Sequence, residues 1–224
     1  MSLNFNFEYL DEAIKISNLT SLVIENRNVF AKVVQGLYLY ADNADYIKIF
    51  DDRYNMIKFS DLMVITDILG FDVNSAAILK LIYRDLESQI SEKPDEKTQI
   101  DNLLQDVTNL VNAELLDFNI DLESDEITFP EVFKALGVQV EVTSDTIFER
   151  MLEIIQVYKY LSKKKLIIFI NAASYLTSAD VKSLEDQILF ENVDVLMLDI
   201  SIPAGISESY FLDEDYVLIK EKMV

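Results

Sequence analysis

Two continuously apolar segments flank one amphipathic segment near the carboxyl end of the chain. The apolar segments are LIIFINA, residues 166–172, and VDVLMLDI, residues 193–200. Between them, TSADVKSLEDQILF places Val181, Leu184 and Ile188 at the spacing of one helical face. Strands that are apolar throughout are buried on both faces, and a helix between two of them predicts a βαβ unit with parallel pairing. This pattern restricts the fold class to α/β.

The rest of the chain divides into an α/β head and an inserted helical leg. Strands are predicted at 3–10, 20–25 and 62–68, a helix at 26–40 and a hairpin at 46–59. Amphipathic spacing over 75–93, and again after Pro94, predicts two long helices. Farther on, a strand is expected in GVQVEV, and Ser144 is expected to cap the next helix. We therefore assign 1–72 and 134–224 to the head and 73–133 to the leg.

Composition excludes several kinds of chemistry. The 224 residues include no Cys and no His, so disulfides, zinc sites, Cys nucleophiles and Ser–His–Asp triads are excluded. Forty acidic against nineteen basic residues give a net charge of −21, which by itself argues against nucleic acid and for a cation or a basic partner. No run approaches the roughly 18 apolar residues of a membrane span, and we expect a cytoplasmic protein without a membrane partner.

Nucleotide hydrolysis is disfavoured by the motifs. The Walker A pattern G-x-x-x-x-G-K-[ST] is absent. LIIFINA has the character of a Walker B strand, but Asn171 stands where the metal-binding acid belongs. We therefore expect no enzymatic activity.

The segment NIDLESDEIT, residues 119–128, is the most acidic stretch of the chain. No Lys or Arg occurs between Lys97 and Lys134 to neutralise it. It fails the EF-hand template, because Glu126 replaces the required Gly and Val132 the required Glu. Two interpretations stay open, a solvated loop or a Ca²⁺ site. The carboxylates concerned are Asp121, Glu123, Asp125 and Glu126.

Two groups of basic residues are candidates for phosphate contact. Lys80 and Arg84 lie four residues apart and share one face of a predicted helix. The other group lies at the C-terminal end of a predicted helix, where lysines commonly complement the helix dipole. Its lysines could therefore serve a structural role or bind phosphate. Its members are Lys159, Lys163, Lys164 and Lys165.

Several segments resemble one known family over nearly the whole chain. LMVITDILGFDVNSAAILKLIYRDLESQISEK, IDLESDEIT, VFKALGVQVEVTSDTIFERMLEIIQVYKYLSKKKLIIFINAASYLT and the final EKMV are similar to the short-form CRISPR-associated spacer-acquisition proteins of type II-A systems. The resemblance implies a head like that of P-loop ATPases without Walker A, interrupted by an α-helical leg. It also implies a non-catalytic homotetrameric ring that holds double-stranded DNA, loads from ends, and acts with the CRISPR integrase and effector nuclease during spacer capture.

The resemblance assigns roles to the candidate residues. It implies that calcium supports the oligomer and that the ligands are Asp121, Glu123, Asp125 and Glu126. Lys134 and 163–165 match basic family positions, and we add Lys80, Arg84 and Lys159 as expected DNA contacts. An acidic scaffold that binds basic proteins without touching DNA is the alternative function, and a divergent nucleotide hydrolase is a third.

Overall fold

The computed structural model describes residues 2–40, 46–117, 119–161 and 164–222. The chain forms two compact units. One combines the two terminal parts, up to Phe71 and from Val142, and the other is Asp72–Glu141.

The elements follow one another in an α/β order. The strands are β1 (Leu3–Phe7), β2 (Ile14–Ile16), β3 (Leu19–Ile24), β4 (Ile47–Asp51), β5 (Leu62–Ile65), β6 (Leu166–Ile170), β7 (Val195–Asp199), β8 (Glu208–Leu212) and β9 (Leu218–Lys222). The α-helices are α1 (Arg27–Tyr38), α2 (Ala76–Ser91), α3 (Pro94–Leu115), α4 (Phe129–Ala135), α5 (Ile147–Tyr158) and α6 (Ser178–Glu191). Two short 3₁₀ helices are Phe59–Asp61 and Ala173–Tyr175.

A six-stranded sheet forms the centre of the first unit, with strand order β5-β6-β7-β3-β8-β9. The neighbours from β5 to β8 pair in parallel, and β9 is antiparallel to β8. Every residue of β6 and of β7 is buried, and all of them except Asp199 are apolar, as expected for strands covered on both faces. The predicted βαβ unit β6–α6–β7 and the α/β fold class are confirmed.

A second, antiparallel sheet of order β2-β1-β4 covers part of the same core. Its buried side chains alternate with outward-facing ones, in the period of two expected for a sheet with one solvated face. The inner side chains pack with α1 and with the large sheet. The core includes Phe5, Ile14, Ile49, Val33, Leu37, Leu22, Ile168 and Leu198.

The second unit consists of α2, α3 and α4. Pro94 occupies the first turn of α3, where its missing N–H costs nothing. Among the described residues of α3, none is buried. Helix α4 begins with a capping box between Thr128 and Glu131 and ends before Gly137, whose φ of 67° is a conformation that glycine adopts freely. No helix in the described part of the chain has the length and apolarity needed to span a membrane.

Two local predictions are wrong, and side chains account for both. Residues 138–142 form no strand, and three backbone groups of Val138 and Val140 bond to side chains instead. The Tyr83 hydroxyl donates to the Val138 carbonyl at 2.7 Å, and the Asn74 amide bonds to both backbone groups of Val140 at 2.8 and 3.0 Å. These bonds group 134–141 with the inserted unit.

The cap of α5 is the second difference. The helix begins two residues later than Ser144 predicts, because the Thr146 hydroxyl accepts from the Glu149 N–H and completes a capping box. Ser144 instead donates its N–H and its hydroxyl to the Glu153 carboxylate at 3.1 Å each.

Asp199, the last residue of β7, is a charged group inside the core. Its side chain is 2% exposed, and its Oδ1 accepts from the Ala173 N–H at 2.9 Å. Its Oδ2 has no hydrogen-bond partner in the described part of the chain. Burial raises the pKa of this carboxyl to about 6, although the hydrogen bond from Ala173 opposes the shift.

We expect Asp199→Asn to stabilise the fold at pH 8 but not at acid pH. Because the folded-state pKa is raised, the folded chain holds a proton between about pH 4 and pH 6 that the unfolded chain releases. Stability therefore falls as the pH rises through this window and stays lower above it, by at most about 3 kcal/mol, while the neutral amide escapes the loss. Urea unfolding across a pH series measures the difference.

Asp51→Asn is the matched control. Hydrogen bonds from Asn55 lower the pKa of the Asp51 carboxyl, so this substitution should destabilise the fold at neutral pH. An Asp199→Asn gain of equal size at pH 4 and pH 8 would contradict the burial argument.

Candidate functional site

The connection between β3 and α1 is where a P-loop protein carries its phosphate-binding loop. Here it consists of Glu25 and Asn26 alone, without glycine. The Asn26 Oδ1 accepts from the N–H groups of Asn28 and Val29 at 3.0 and 3.3 Å. Two of the amides that would face a phosphate are therefore occupied by the chain's own side chain.

The metal-binding position of a nucleotide site also differs. Asn171 follows β6 with a φ of 57°, and its N–H donates to the Leu198 carbonyl at 2.9 Å. A neutral carboxamide supplies no charge to hold a divalent ion. The adjacent strand β7 ends in a carboxylate, Asp199, but this side chain is buried. This edge of the sheet therefore offers a poor site for a nucleotide and its metal.

The four predicted calcium ligands lie on an irregular segment of the second unit. All four side chains are exposed, and Ser124 between them donates its hydroxyl to the Asn112 Oδ1 on α3 at 2.5 Å. The four residues are Asp121, Glu123, Asp125 and Glu126.

The donor chemistry of this segment suits calcium, but its geometry in one chain does not. Ca²⁺ takes six to eight oxygen ligands, which requires several carboxylates to converge. Within the described residues, no group of three or more acidic side chains comes together in a way that could hold an ion. The segment by itself does not form a calcium site, and the predicted ligands stay predictions.

Three of the predicted DNA-binding residues converge on one groove in the second unit. The groove has a volume of about 500 Å³ and lies between α2 and α4. Lys80 and Arg84 enter from α2, and Lys134 enters from α4. The remaining lining residues are Ala76, Leu79, Tyr83, Glu87, Pro130 and Glu131.

Local interactions fix the walls of this groove. The Tyr83 ring lies 5.6 Å from that of Phe133, in addition to the hydroxyl bond to Val138. On the other wall, the Glu131 carboxylate accepts from the Thr128 N–H at 2.8 Å and from its hydroxyl at 2.7 Å. The backbone bond is the larger cause of the lowered pKa of Glu131, which stays ionised.

The charge of the groove is positive within a strongly acidic chain. Three cations face two carboxylates, those of Glu87 and Glu131. In the part of the chain that the structure describes, none of the three cations has a carboxylate within ion-pair distance. Lys80, Arg84 and Lys134 are exposed and available to an anionic ligand.

The lysines that follow α5 are placed differently. Lys159 pairs with Glu191 at 3.2 Å, and Lys165 pairs with Asp61 at 3.4 Å. Lys164 donates to the Leu62 carbonyl, and burial lowers the pKa of its ammonium. Lys163 lies outside the described residues. Each described member of this group has a partner in its own chain, so a phosphate would compete with an existing interaction.

Tyr83, Glu87 and Glu131 were not predicted as parts of the site. Tyr83 and Glu87 lie three and seven residues after Lys80, which places all three on one face of α2, so helical spacing carried the information. Glu131 lies three residues before Lys134 on α4. Helices α2 and α4 pack against each other although about fifty residues of sequence separate Lys80 from Glu131. Local spacing in the sequence does not reveal such a contact.

Comparison with solved structures supports the fold. The chain aligns over its full length with 76% of the Streptococcus thermophilus protein Stu0660, with a TM-score of 0.60 and 13% sequence identity. At this identity the similarity establishes the architecture alone.

Comparison of sequences establishes the family. The chain is 47% identical to a CRISPR-associated protein Csn2 of Enterococcus faecalis over 98% of this chain and 100% of that protein. It is 46% identical to the Csn2 protein of Streptococcus agalactiae over 99% and 100% of the two chains. The family model of the CRISPR-associated protein Cas_Csn2 matches residues 39–216. The family predicted from the sequence segments is confirmed, and the chain belongs to the CRISPR-associated Csn2 proteins.

Proposed function

We propose that this protein acts in CRISPR adaptation as a non-catalytic, double-stranded-DNA-binding protein whose copies form a homotetrameric ring around the duplex. The observation that carries the proposal is the convergence of Lys80, Arg84 and Lys134 on one groove of a chain with a net charge of −21. The integrase and the effector nuclease of the system are its expected partners.

Electrostatic screening reconciles DNA binding with an acidic chain. Exposed charges act over about 10 Å at ordinary salt, so acids elsewhere on the surface do not cancel a local cationic groove. Lysine and arginine contacts to phosphate release counterions and read no bases. Binding should therefore show a steep salt dependence and little sequence preference.

An exposed apolar stripe on α3 supports assembly of several copies. Leu103, Val107 and Leu110 lie at positions i, i+4 and i+7, on one face of the helix, and each is about half exposed or more. Monomeric proteins rarely leave such a face in water, and a second copy would cover it.

We also propose that calcium supports this assembly through the acidic segment. Since the described residues of one chain bring no three carboxylates together, further ligands must come from another copy or from a change in the segment. Bound cations would also reduce repulsion between acidic subunits.

Substitution of the groove cations should weaken duplex binding and flatten its salt dependence. We expect Lys80→Gln, Arg84→Gln and Lys134→Gln each to reduce the slope of log affinity against log salt by about 0.9, the value for one lost phosphate contact. Fluorescence anisotropy with a blunt duplex, titrated at several salt concentrations, measures the slope.

Lys182→Gln is the matched control, because it removes one exposed lysine from α6 in the other unit. Equal slopes for Lys182→Gln and the three groove variants would contradict the groove as a DNA contact. A wild-type protein that forms no duplex complex even at low salt would favour the acidic scaffold instead.

Loss of carboxylates from the acidic segment should prevent calcium-dependent assembly. We expect the wild-type protein to increase in mass from one copy to four when calcium replaces a chelator, and the double variant Asp121→Asn, Asp125→Asn to remain smaller. Both carboxylates are exposed in the single chain, so the substitutions should leave the fold intact. Size-exclusion chromatography with light scattering gives the mass.

Two leucine variants, measured in the same way, test whether the α3 stripe takes part in the assembly. Leu110→Ser, which polarises the α3 stripe, should weaken assembly, whereas Leu189→Ser alters a comparably exposed leucine on α6 and should not. An unchanged wild-type mass with and without calcium would refute the role of calcium.

A further inference from the structure

The outer face of the small sheet β2-β1-β4 carries cations and aromatic side chains. Register places Asn4 between Lys15 on β2 and Phe50 on β4, and it places Lys48 beside Asn6. Lys15 and Lys48 are exposed, whereas the residues that alternate with them belong to the core. The solvent-exposed face of this sheet therefore carries lysines beside an aromatic residue, in a chain whose net charge is −21.

Two aromatic rings form a stack at the edge of this face. The rings of Phe50 and Tyr54 have centroids 5.5 Å apart and planes inclined by 13°. Tyr54 is 82% exposed, so the far side of its ring is open in the single chain. Met56, which forms an isolated antiparallel β-bridge with Phe50, is also exposed.

The backbone holds Tyr54 in a strained conformation. Its φ is 61°, an outlying value for a bulky side chain. Such strain persists only where the surrounding structure enforces it, and it concentrates at functional positions.

Asp51 is the residue that enforces this conformation. Its buried carboxylate accepts from the backbone N–H groups of Arg53 and Asn55 at 2.8 and 2.9 Å and from the Asn55 side chain at 3.0 Å. The Tyr54 N–H donates to the Asp51 carbonyl at 2.9 Å. The turn is thus rigid, and it presents the Tyr54 ring at little entropic cost on binding.

The charge around the stack favours an anion. Lys15 and Lys48 lie in this sheet, and the exposed Arg53 precedes Tyr54 in the turn. The turn also carries an exposed acid, Asp52, whose carboxylate accepts from the Ser2 N–H at 2.9 Å. In the described part of the chain, none of the three cations has a carboxylate within ion-pair distance. Cations that follow a backbone, beside an open aromatic ring, are the features by which proteins hold single-stranded nucleic acid.

We propose that this face is a second binding site, which takes single-stranded DNA by stacking an unpaired base on Tyr54 while Lys15, Lys48 and Arg53 contact its phosphates. Bases inside a duplex are stacked on both faces and cannot reach the ring, so we assign an unpaired base as the ligand. The choice of DNA over RNA rests on the proposed function.

Anisotropy and base fluorescence with the full-length protein test the site. A labelled oligo(dT) and the same oligomer with one 2-aminopurine should bind, with quenching of the 2-aminopurine by stacking. Tyr54→Gly should weaken oligo(dT) binding about 10-fold and abolish the quenching, since one stacked base is lost. Tyr54→Phe should retain both signals.

The variants are chosen so that misfolding does not imitate the result. Glycine adopts the φ of Tyr54 without strain, so Tyr54→Gly should unfold at the same temperature as the wild type or higher. Phe190→Ala removes an aromatic ring that is 81% exposed on α6, and it should bind oligo(dT) as the wild type does.

Duplex binding, measured in parallel, separates this inference from the proposed function. Unchanged duplex affinity in Tyr54→Gly, together with lost oligo(dT) affinity, is the expected result. Wild-type protein that binds duplex but not oligo(dT), or equal oligo(dT) affinity in Tyr54→Gly, would overturn the inference and leave the proposed function standing. Tyr54-dependent oligo(dT) binding without duplex binding would support the single-strand site and contradict the proposed function. Tighter Tyr54-dependent binding of oligouridylate would overturn the assignment to DNA.

Discussion

Burial of parallel strands on both faces is the constraint on which the head depends. Strands β6 and β7 have no solvated side, so layers must cover both surfaces of the sheet, and crossover connections place helices there. The carboxyl ends of the strands then meet at one edge, where α/β proteins usually bind ligands. In this chain two positions at that edge differ from those of a nucleotide site. Asn26 caps the helix that would bind phosphate, and Asn171 replaces an acid.

The distribution of the cations matters more than the net charge of −21. Lys159 and Lys165 pair with acids of their own unit, and Lys164 bonds to a backbone carbonyl, so these side chains serve the fold. Lys80, Arg84 and Lys134 have no such described partner and gather at one groove. The groove therefore places three unneutralised cations side by side, although the chain as a whole is acidic.

Periodicity in the sequence was enough for much of the fold. Continuous apolar runs identified β6 and β7, and helical spacing identified α2 and α3, because each element is decided by its own residues. The predicted strand at 138–142 failed because Tyr83 and Asn74, more than fifty residues away, take its hydrogen bonds. The groove and the Phe50–Tyr54 stack escaped prediction for a related reason, since the first needs two helices to meet and the second needs a turn built by Asp51.

The encircling of DNA by several copies is the central proposal, and the topology of the DNA tests it most directly. A relaxed, covalently closed circle and the linear product of cutting it once have the same sequence, charge and length. A ring that must be threaded should bind the linear molecule in calcium and leave the closed circle unbound. Equal binding of the two forms in a gel-shift titration would show that the protein attaches to the outside of the duplex, and it would contradict the ring.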